Sequence, residues 1–129
     1  MIITATIDRK HYLTSLQTQT NTIYADEPET NGGQDKGFAP QQLLAASLAS
    51  CTAITLRMYS DRKEWNIEEI VVKIEITPNL ENKSTTFDRK IILPNGTSDE
   101  IKSKLLEIAD RCPVHQILTN PIQIQTKAL

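Results

Sequence analysis

The sequence contains few of the residues that would indicate a disulfide scaffold or a nucleic-acid-binding protein. Among its 129 residues there are two cysteines, one tryptophan and 5% aromatic side chains. The 14 Lys and Arg are balanced by 16 Asp and Glu, which leaves a net charge of −2. Because no basic stripe is present, we expect no nucleic-acid partner. The composition is otherwise that of one soluble globular domain, predicted to span residues 1–129.

The residues at the start of the sequence predict no targeting signal. The stretch "MIITATIDRK" has neither the charged start nor the long apolar core of a signal peptide. The longest charge-free stretch, residues 37–56, contains Gln41, Gln42 and several hydroxyl side chains that are costly in lipid. It therefore predicts the buried helix of a soluble protein, and we expect no membrane partner. The predicted compartment is the cytoplasm. There a stable structural disulfide is disfavoured and a redox pair of thiols is favoured.

Alternating and periodic patterns predict an α+β fold. Strand patterns occur in "MIITATI", "YLTSLQTQTNTIYAD", "NIEEIVVKIEIT", "TTFDRKIIL" and "PIQIQTKAL". Residues 25–37 read as an exposed loop, and Pro40 opens a helix to about Lys63 that is apolar almost all round. "TSDEIKSKLLEIADR" predicts an amphipathic helix with Thr97 and Glu100 as a capping box, and "PVHQILT" predicts one further helical turn or two. The predicted order is β-β-α-β-β-α-β, an antiparallel sheet packed with a long central helix.

The first cysteine, Cys51, lies in the middle of the predicted central helix. Steps of three and four place Leu44, Leu48, Thr55 and Met58 near it on the helix surface. A free cysteine in such surroundings is often a space-filling core residue. On its own, this position favours a structural role.

The second cysteine, Cys112, directly precedes Pro113 and therefore lies at a helix break. If Pro113 starts a new helix, the Cys112 sulfur faces free N–H groups, which lower the pKa of a thiol. Arg111 and His115 are nearby sources of positive charge. Cys112 also continues the apolar stripe of Ile101, Leu105 and Ile108, so a core role stays open.

Other site types fit the sequence less well. The pair of cysteines and the pair of histidines lack the short spacings of a zinc site, so we expect no metal. "GGQDKG" is glycine-rich, but no Lys-Ser or Lys-Thr follows it, which excludes a phosphate-binding loop. The "DRK" runs are typical of solvated turns and helix ends.

Two stretches carry a resemblance to a known family. "GFAPQQLLAASLASCTAITLRMYSDRKEW" resembles the signature helix of the OsmC/Ohr family, in which a cysteine follows the helix-opening proline by eleven residues. "ADRCPVHQIL" is similar to the second family signature. The order and spacing of the two motifs fit as well, and the resemblance is closest to the general OsmC-like branch.

The resemblance implies an intertwined homodimer that reduces organic hydroperoxides, and hydrogen peroxide more weakly, without a cofactor. Cys51 would be the peroxidatic and Cys112 the resolving residue, forming an internal disulfide through a sulfenic acid. An external dithiol or a lipoyl-bearing protein would reduce that disulfide. Leu44, Leu48 and Met58 would line the substrate pocket, and His115 would support the site.

The family also supplies an arginine from the turn after the first strand, to hold the thiolate. Arg9 is the candidate and Lys10 a lesser one, although a solvated arginine fits the turn equally. The family's usual glutamate, which orients the arginine, is replaced by Gln41 or Gln42, so we expect weak activity. Gln41 lies ten residues, roughly 15 Å, before Cys51 along the helix, so contact between them would require a partner subunit.

Two other functions are consistent with the same residues. One is a non-catalytic binder of a small apolar ligand, in which the pocket is kept and the catalytic acid is lost. The other is a redox-sensing dimer whose thiols are oxidised but turned over slowly.

Overall fold

A computed structural model describes residues 1–129 and divides them into two compact units, residues 1–44 and residues 45–129. The single domain over residues 1–129 stays a prediction. The secondary structure is α+β with antiparallel sheets and three α-helices, so the predicted fold class is confirmed. The strands form two sheets, one in each unit, where one sheet was predicted.

The first unit contains a three-stranded antiparallel meander. Its strands are β1 (Thr4–Ile7), β2 (Thr14–Gln17) and β3 (Thr22–Ala25), in the order β1-β2-β3. The prediction of one continuous strand over "YLTSLQTQTNTIYAD" was wrong, because a turn separates β2 from β3. The Thr18 side chain accepts hydrogen bonds from the backbone N–H groups of Thr20 and Asn21 and so stabilises this turn.

A buried carboxylate organises the loop that follows β3. The side chain of Asp26 accepts hydrogen bonds from four backbone N–H groups, at 2.8–3.2 Å, namely those of Tyr12, Glu27, Gln34 and Lys36. Burial by itself would raise the pKa of Asp26, but the four donors together hold it below its ordinary value. The loop, predicted as exposed and irregular, therefore has a fixed path and includes one short 3₁₀ turn, Glu29–Asn31.

The second unit contains most of the helical residues and a two-stranded sheet. Helix α1 (Pro40–Arg62) begins in the first unit and continues through the second, which also contains β4 (Val71–Asn79), β5 (Ser84–Ile92), α2 (Asp99–Ala109) and α3 (Pro113–Thr119). β4 and β5 form a hairpin with Val71 opposite Ile92. The apolar core consists of side chains from α1, the segment after it, and α2: Leu56, Ile67, Leu105, Ile108 and Ala109.

Two further predictions about local structure were wrong. Ser98, not Thr97, is the N-cap of α2, and its side chain accepts a hydrogen bond from the N–H of Ile101. Residues 121–129 form no strand and are exposed, since no strand of the chain pairs with them. The alternation in this segment predicted a closing strand, but a strand also needs a partner edge.

The central helix is buried along one side only. Leu48, Thr52, Leu56 and Ser60, spaced by four residues, are its buried positions. Ile54 and Met58 are exposed, so the prediction of burial all round was wrong for this chain by itself. By length and composition α1 could cross a membrane, and 22% of its most apolar window is buried.

Candidate active site

The fold brings the two cysteines together. Cys51 lies on α1 and is half-buried, whereas Cys112 lies between α2 and α3 and is fully buried. Both thiols are free, and their side chains are close enough for each to alter the pKa of the other. We call these two residues the thiol pair.

Cys112 occupies the N-cap of α3, with Pro113 at the first helical position. The helix break predicted from Pro113 is confirmed. Its sulfur accepts a hydrogen bond of 3.3 Å from the backbone N–H of His115. The hydroxyl of Thr52, one residue after Cys51 on α1, lies 3.8 Å from the same sulfur.

These contacts shift the pKa values of the two thiols in opposite directions. Burial alone would raise the pKa of Cys112, but hydrogen bonds from the His115 N–H, from Cys51 and from Thr52 lower it below the ordinary value. Burial raises the pKa of Cys51, and the neighbouring Cys112 raises it further, against hydrogen bonds from Val114 and Thr55. The resemblance assigned the thiolate to Cys51, whereas the surrounding groups favour the thiolate on Cys112.

A half-buried arginine is linked to Cys112 through Thr52. The side chain of Arg89, on β5, is 14% exposed, and its Nη1 donates to Thr52 Oγ1 at 3.2 Å and to the carbonyl of Ala109 at 3.0 Å. Its Nη2 donates to Asp110 Oδ1 at 2.6 Å and lies 3.4 Å from His115 Nδ1. One guanidinium thus contacts residues of α1, of α3 and of the end of α2.

His115 and Arg111, the cations expected near Cys112, each contact another charged side chain. His115 Nδ1 lies 3.4 Å from Arg89 Nη2 and 3.7 Å from Asp110 Oδ1. Arg111 is exposed and pairs with Glu107 at 2.6 Å. Within this unit, the arginine beside the thiol pair is therefore Arg89.

The remaining polar candidates belong to the first unit. Arg9 lies in the turn between β1 and β2, and its role at the thiol pair stays a prediction. Gln41 is exposed at the start of α1. The side-chain carbonyl of Gln42 accepts a hydrogen bond of 2.9 Å from the N–H of Ala39, and so acts locally at the start of the helix.

The second unit has an open groove of about 600 Å³, which neither cysteine lines. It is connected to the thiol pair by Thr55, which hydrogen-bonds to Cys51, and by Pro113, which follows Cys112. Met58, predicted as a pocket residue, lines it, while Leu48 is buried and does not. Leu44 belongs to the first unit. The groove wall is mainly apolar and includes three basic residues. It is formed by Thr55, Met58, Tyr59, Arg62, Lys63, Ile108, Arg111 and Pro113.

Sequence reasoning missed Arg89 and Thr52. Phe87, Arg89 and Ile91 alternate with exposed residues along β5, and all three are half-buried. The alternation over "TTFDRKIIL" therefore indicates that Arg89 lies on the inward face of β5. A charged residue at such a position is a signal for a buried partner.

Comparison with known proteins identifies one family. The family model described as OsmC-like protein matches residues 33–127. No sequence among the curated proteins matches this chain.

Several solved structures share the fold at low sequence identity. A proposed osmotic stress induced and detoxification response protein from Psychrobacter arcticus has a TM-score of 0.77 and 22% identity, over 91% of this chain and 87% of the other. An OsmC-like protein from Mycoplasma pneumoniae has a TM-score of 0.71 and 21% identity, over 91% and 85%. The organic hydroperoxide resistance protein of Bacillus subtilis has a TM-score of 0.61 and 18% identity, over 92% and 89%.

Proposed function

We propose that this chain, which belongs to the OsmC-like protein family, is a cysteine-based peroxidase that reduces organic hydroperoxides and, more weakly, hydrogen peroxide. The observation that carries the proposal is the thiol pair, two free cysteines from distant parts of the chain that influence each other's acidity. Fold relatives named for organic hydroperoxide resistance support it.

In the proposed reaction, Cys51 attacks because it is the more accessible sulfur. Its proton passes to the Cys112 thiolate as the Cys51 sulfur bonds to the hydroxyl oxygen of the peroxide and the O–O bond breaks. The leaving alkoxide takes that proton from Cys112 and departs as an alcohol. Cys51 is then a sulfenic acid, and Cys112 is again a thiolate.

The second step closes the disulfide. The Cys112 thiolate attacks the Cys51 sulfur, the S–S bond forms, the S–O bond breaks, and hydroxide leaves to become water with a proton from solvent. The two thiols have then been oxidised and one peroxide reduced. An external dithiol or a lipoyl-bearing protein returns the disulfide to two thiols.

The groove beside Thr55 is the proposed approach for the alkyl part of the peroxide, since its wall is mainly apolar. Exposed Ile54 and Met58 on α1 support the proposed homodimer, because an uncovered apolar helix face is costly in water. Cytoplasmic localisation and a role in the oxidative stress response are proposed along with the activity.

The test is peroxide consumption by purified protein. One equivalent of cumene hydroperoxide should remove two thiols per chain, and dithiothreitol should support repeated turnover. Cys51→Ser should abolish consumption, while Cys112→Ser should yield a sulfenic acid that a dimedone probe traps. Ser50→Ala, at the exposed neighbour of Cys51 on α1, is the matched control and should keep full activity.

Peroxide consumption that survives Cys51→Ser would refute the proposal. If the wild type instead consumed no peroxide and co-purified with a small apolar molecule, the ligand-binder function would replace it. Stoichiometric oxidation without dithiothreitol-driven turnover would favour the redox sensor.

A further inference from the structure

One of the groups that lower the pKa of Cys112, the Thr52 hydroxyl, is itself held by another side chain. The Thr52 hydroxyl, fully buried, lies between Arg89 Nη1 at 3.2 Å and Cys112 Sγ at 3.8 Å. A threonine hydroxyl has one proton to donate and two lone pairs with which to accept. The guanidinium can only donate, so the oxygen of Thr52 must accept from Arg89, and its single proton remains for the sulfur.

We propose that Arg89 is a positioning residue for the resolving thiol, acting through Thr52 to direct the hydroxyl proton at Cys112 Sγ and so favour the thiolate. The role in the disulfide step rests on the proposed peroxidase function. The effect on Cys112 does not, because it is a property of the reduced protein without peroxide.

The contacts of Arg89 indicate why it would act by orienting the Thr52 hydroxyl. Its positive charge is offset by Asp110, whose oxygen lies 2.6 Å from Nη2. The contact through Thr52, by comparison, is a directed hydrogen bond from Arg89 Nη1 to the hydroxyl oxygen, with the hydroxyl next to Cys112 Sγ. The bond to the Ala109 carbonyl holds the guanidinium in place at the end of α2.

The ionisable groups around Cys112 come from every neighbouring element. They are Cys51 on α1, Arg89 on β5, Asp110 after α2 and His115 on α3. Arg111 is adjacent in the chain but pairs with Glu107. A test must therefore distinguish three effects on the ionisation of Cys112: the hydrogen bond from Thr52, the charge of Arg89 and the titration of Cys51.

The experiment is a pH titration of thiolate absorbance at 240 nm in full-length protein carrying Cys51→Ser, which leaves Cys112 as the only thiol. The same protein with Cys112→Ser added supplies the background. Thr52→Val and Arg89→Gln are each added to the Cys51→Ser protein, singly and together. Thr52→Ser, which keeps the hydroxyl, is the conservative variant.

The proposal predicts that Thr52→Val and Arg89→Gln each lower the thiolate fraction of Cys112 at pH 7 several-fold, and that Thr52→Ser restores most of it. In the Thr52→Val background, Arg89→Gln should not lower the thiolate fraction further, because the hydroxyl through which Arg89 acts is absent. Arg57→Gln, which removes the other arginine that binds backbone carbonyls in this unit, should leave the titration unchanged.

Equal effects of Arg89→Gln with and without the Thr52 hydroxyl would overturn the proposal and assign the effect to charge alone. An unchanged titration in Thr52→Val would also overturn it. If Thr52→Val does not fold, as judged by circular dichroism, Thr52→Ala takes its place in the same cycle. If only the proposed peroxidase function were wrong, the wild-type protein would consume no peroxide, while the Cys112 titrations would still give the results predicted here.

Discussion

Arg89 should also be a principal stabilising residue of the second unit, and Arg89→Met measures this. Methionine keeps the aliphatic stem and removes the guanidinium, leaving the buried Thr52 oxygen and the Ala109 carbonyl without their charged donor. Each such bond contributes about 1.5 kcal/mol or more. The pair with Asp110, which is 64% exposed, adds at most about 1 kcal/mol.

The expected loss is therefore about 3 kcal/mol in the free energy of unfolding. With an unfolding entropy of roughly 2.1 cal/mol/K per residue, this lowers the Tm of a chain of this length by about 10 °C. The assay is thermal unfolding followed by circular dichroism in the reduced state, at one protein concentration. Arg57→Met is the matched control, since Arg57 also donates to two backbone carbonyls but is 39% exposed.

We expect about 1 kcal/mol for Arg57→Met, because water replaces an exposed donor more readily. If Arg89→Met lowers the Tm no more than Arg57→Met, the network around Arg89 does not stabilise the unit. The orientation of Thr52 by Arg89 would then lose its structural basis.

Three further changes test the surrounding structure. Leu105→Ala should cost about 2–5 kcal/mol in urea unfolding, because Leu105 is fully buried in the core; the exposed Leu106→Ala should cost much less. Ser98→Ala should cost about 1 kcal/mol, because it removes the N-cap bond of α2, whereas Thr97→Ala should not affect that bond. Asp26→Asn should lower the Tm at pH 7, because its NH₂ group would face backbone N–H donors. Since the folded-state pKa of Asp26 is lowered, the stability that the carboxylate contributes is present above the unfolded value of 3.8 and is lost as the pH falls through the lowered value. The wild type should therefore lose more stability than Asp26→Asn between pH 5 and pH 2, and equal losses would contradict this account.

Local signals in the sequence were sufficient for the helices and for the break at Cys112. Pro113 restricts the residue before it and starts the next helix, so the N-cap position of Cys112 followed from two adjacent residues. The closing strand failed because alternation in residues 121–129 says nothing about which edge would pair with it. The capping box failed because Thr97 and Ser98 are adjacent and both are good N-caps.

The chemistry around the thiol pair depended on long-range contacts that local patterns do not contain. Thr52 and Cys112 are 60 positions apart, and Arg89 and Thr52 are 37 apart. The family motif assigned roles to the cysteines, but it did not indicate which sulfur is the more acidic. That difference follows from where the hydroxyl and N–H donors lie after folding.

Mapping the bonds of the oxidised protein tests the central claim most directly. Reduced protein is treated with one equivalent of cumene hydroperoxide, blocked with an alkylating agent, digested without reductant and analysed by mass spectrometry. We predict one linked peptide pair joining Cys51 to Cys112 within a chain, with one equivalent of cumyl alcohol released. Two alkylated, unlinked cysteines in a folded protein, with the hydroperoxide intact, would contradict the account.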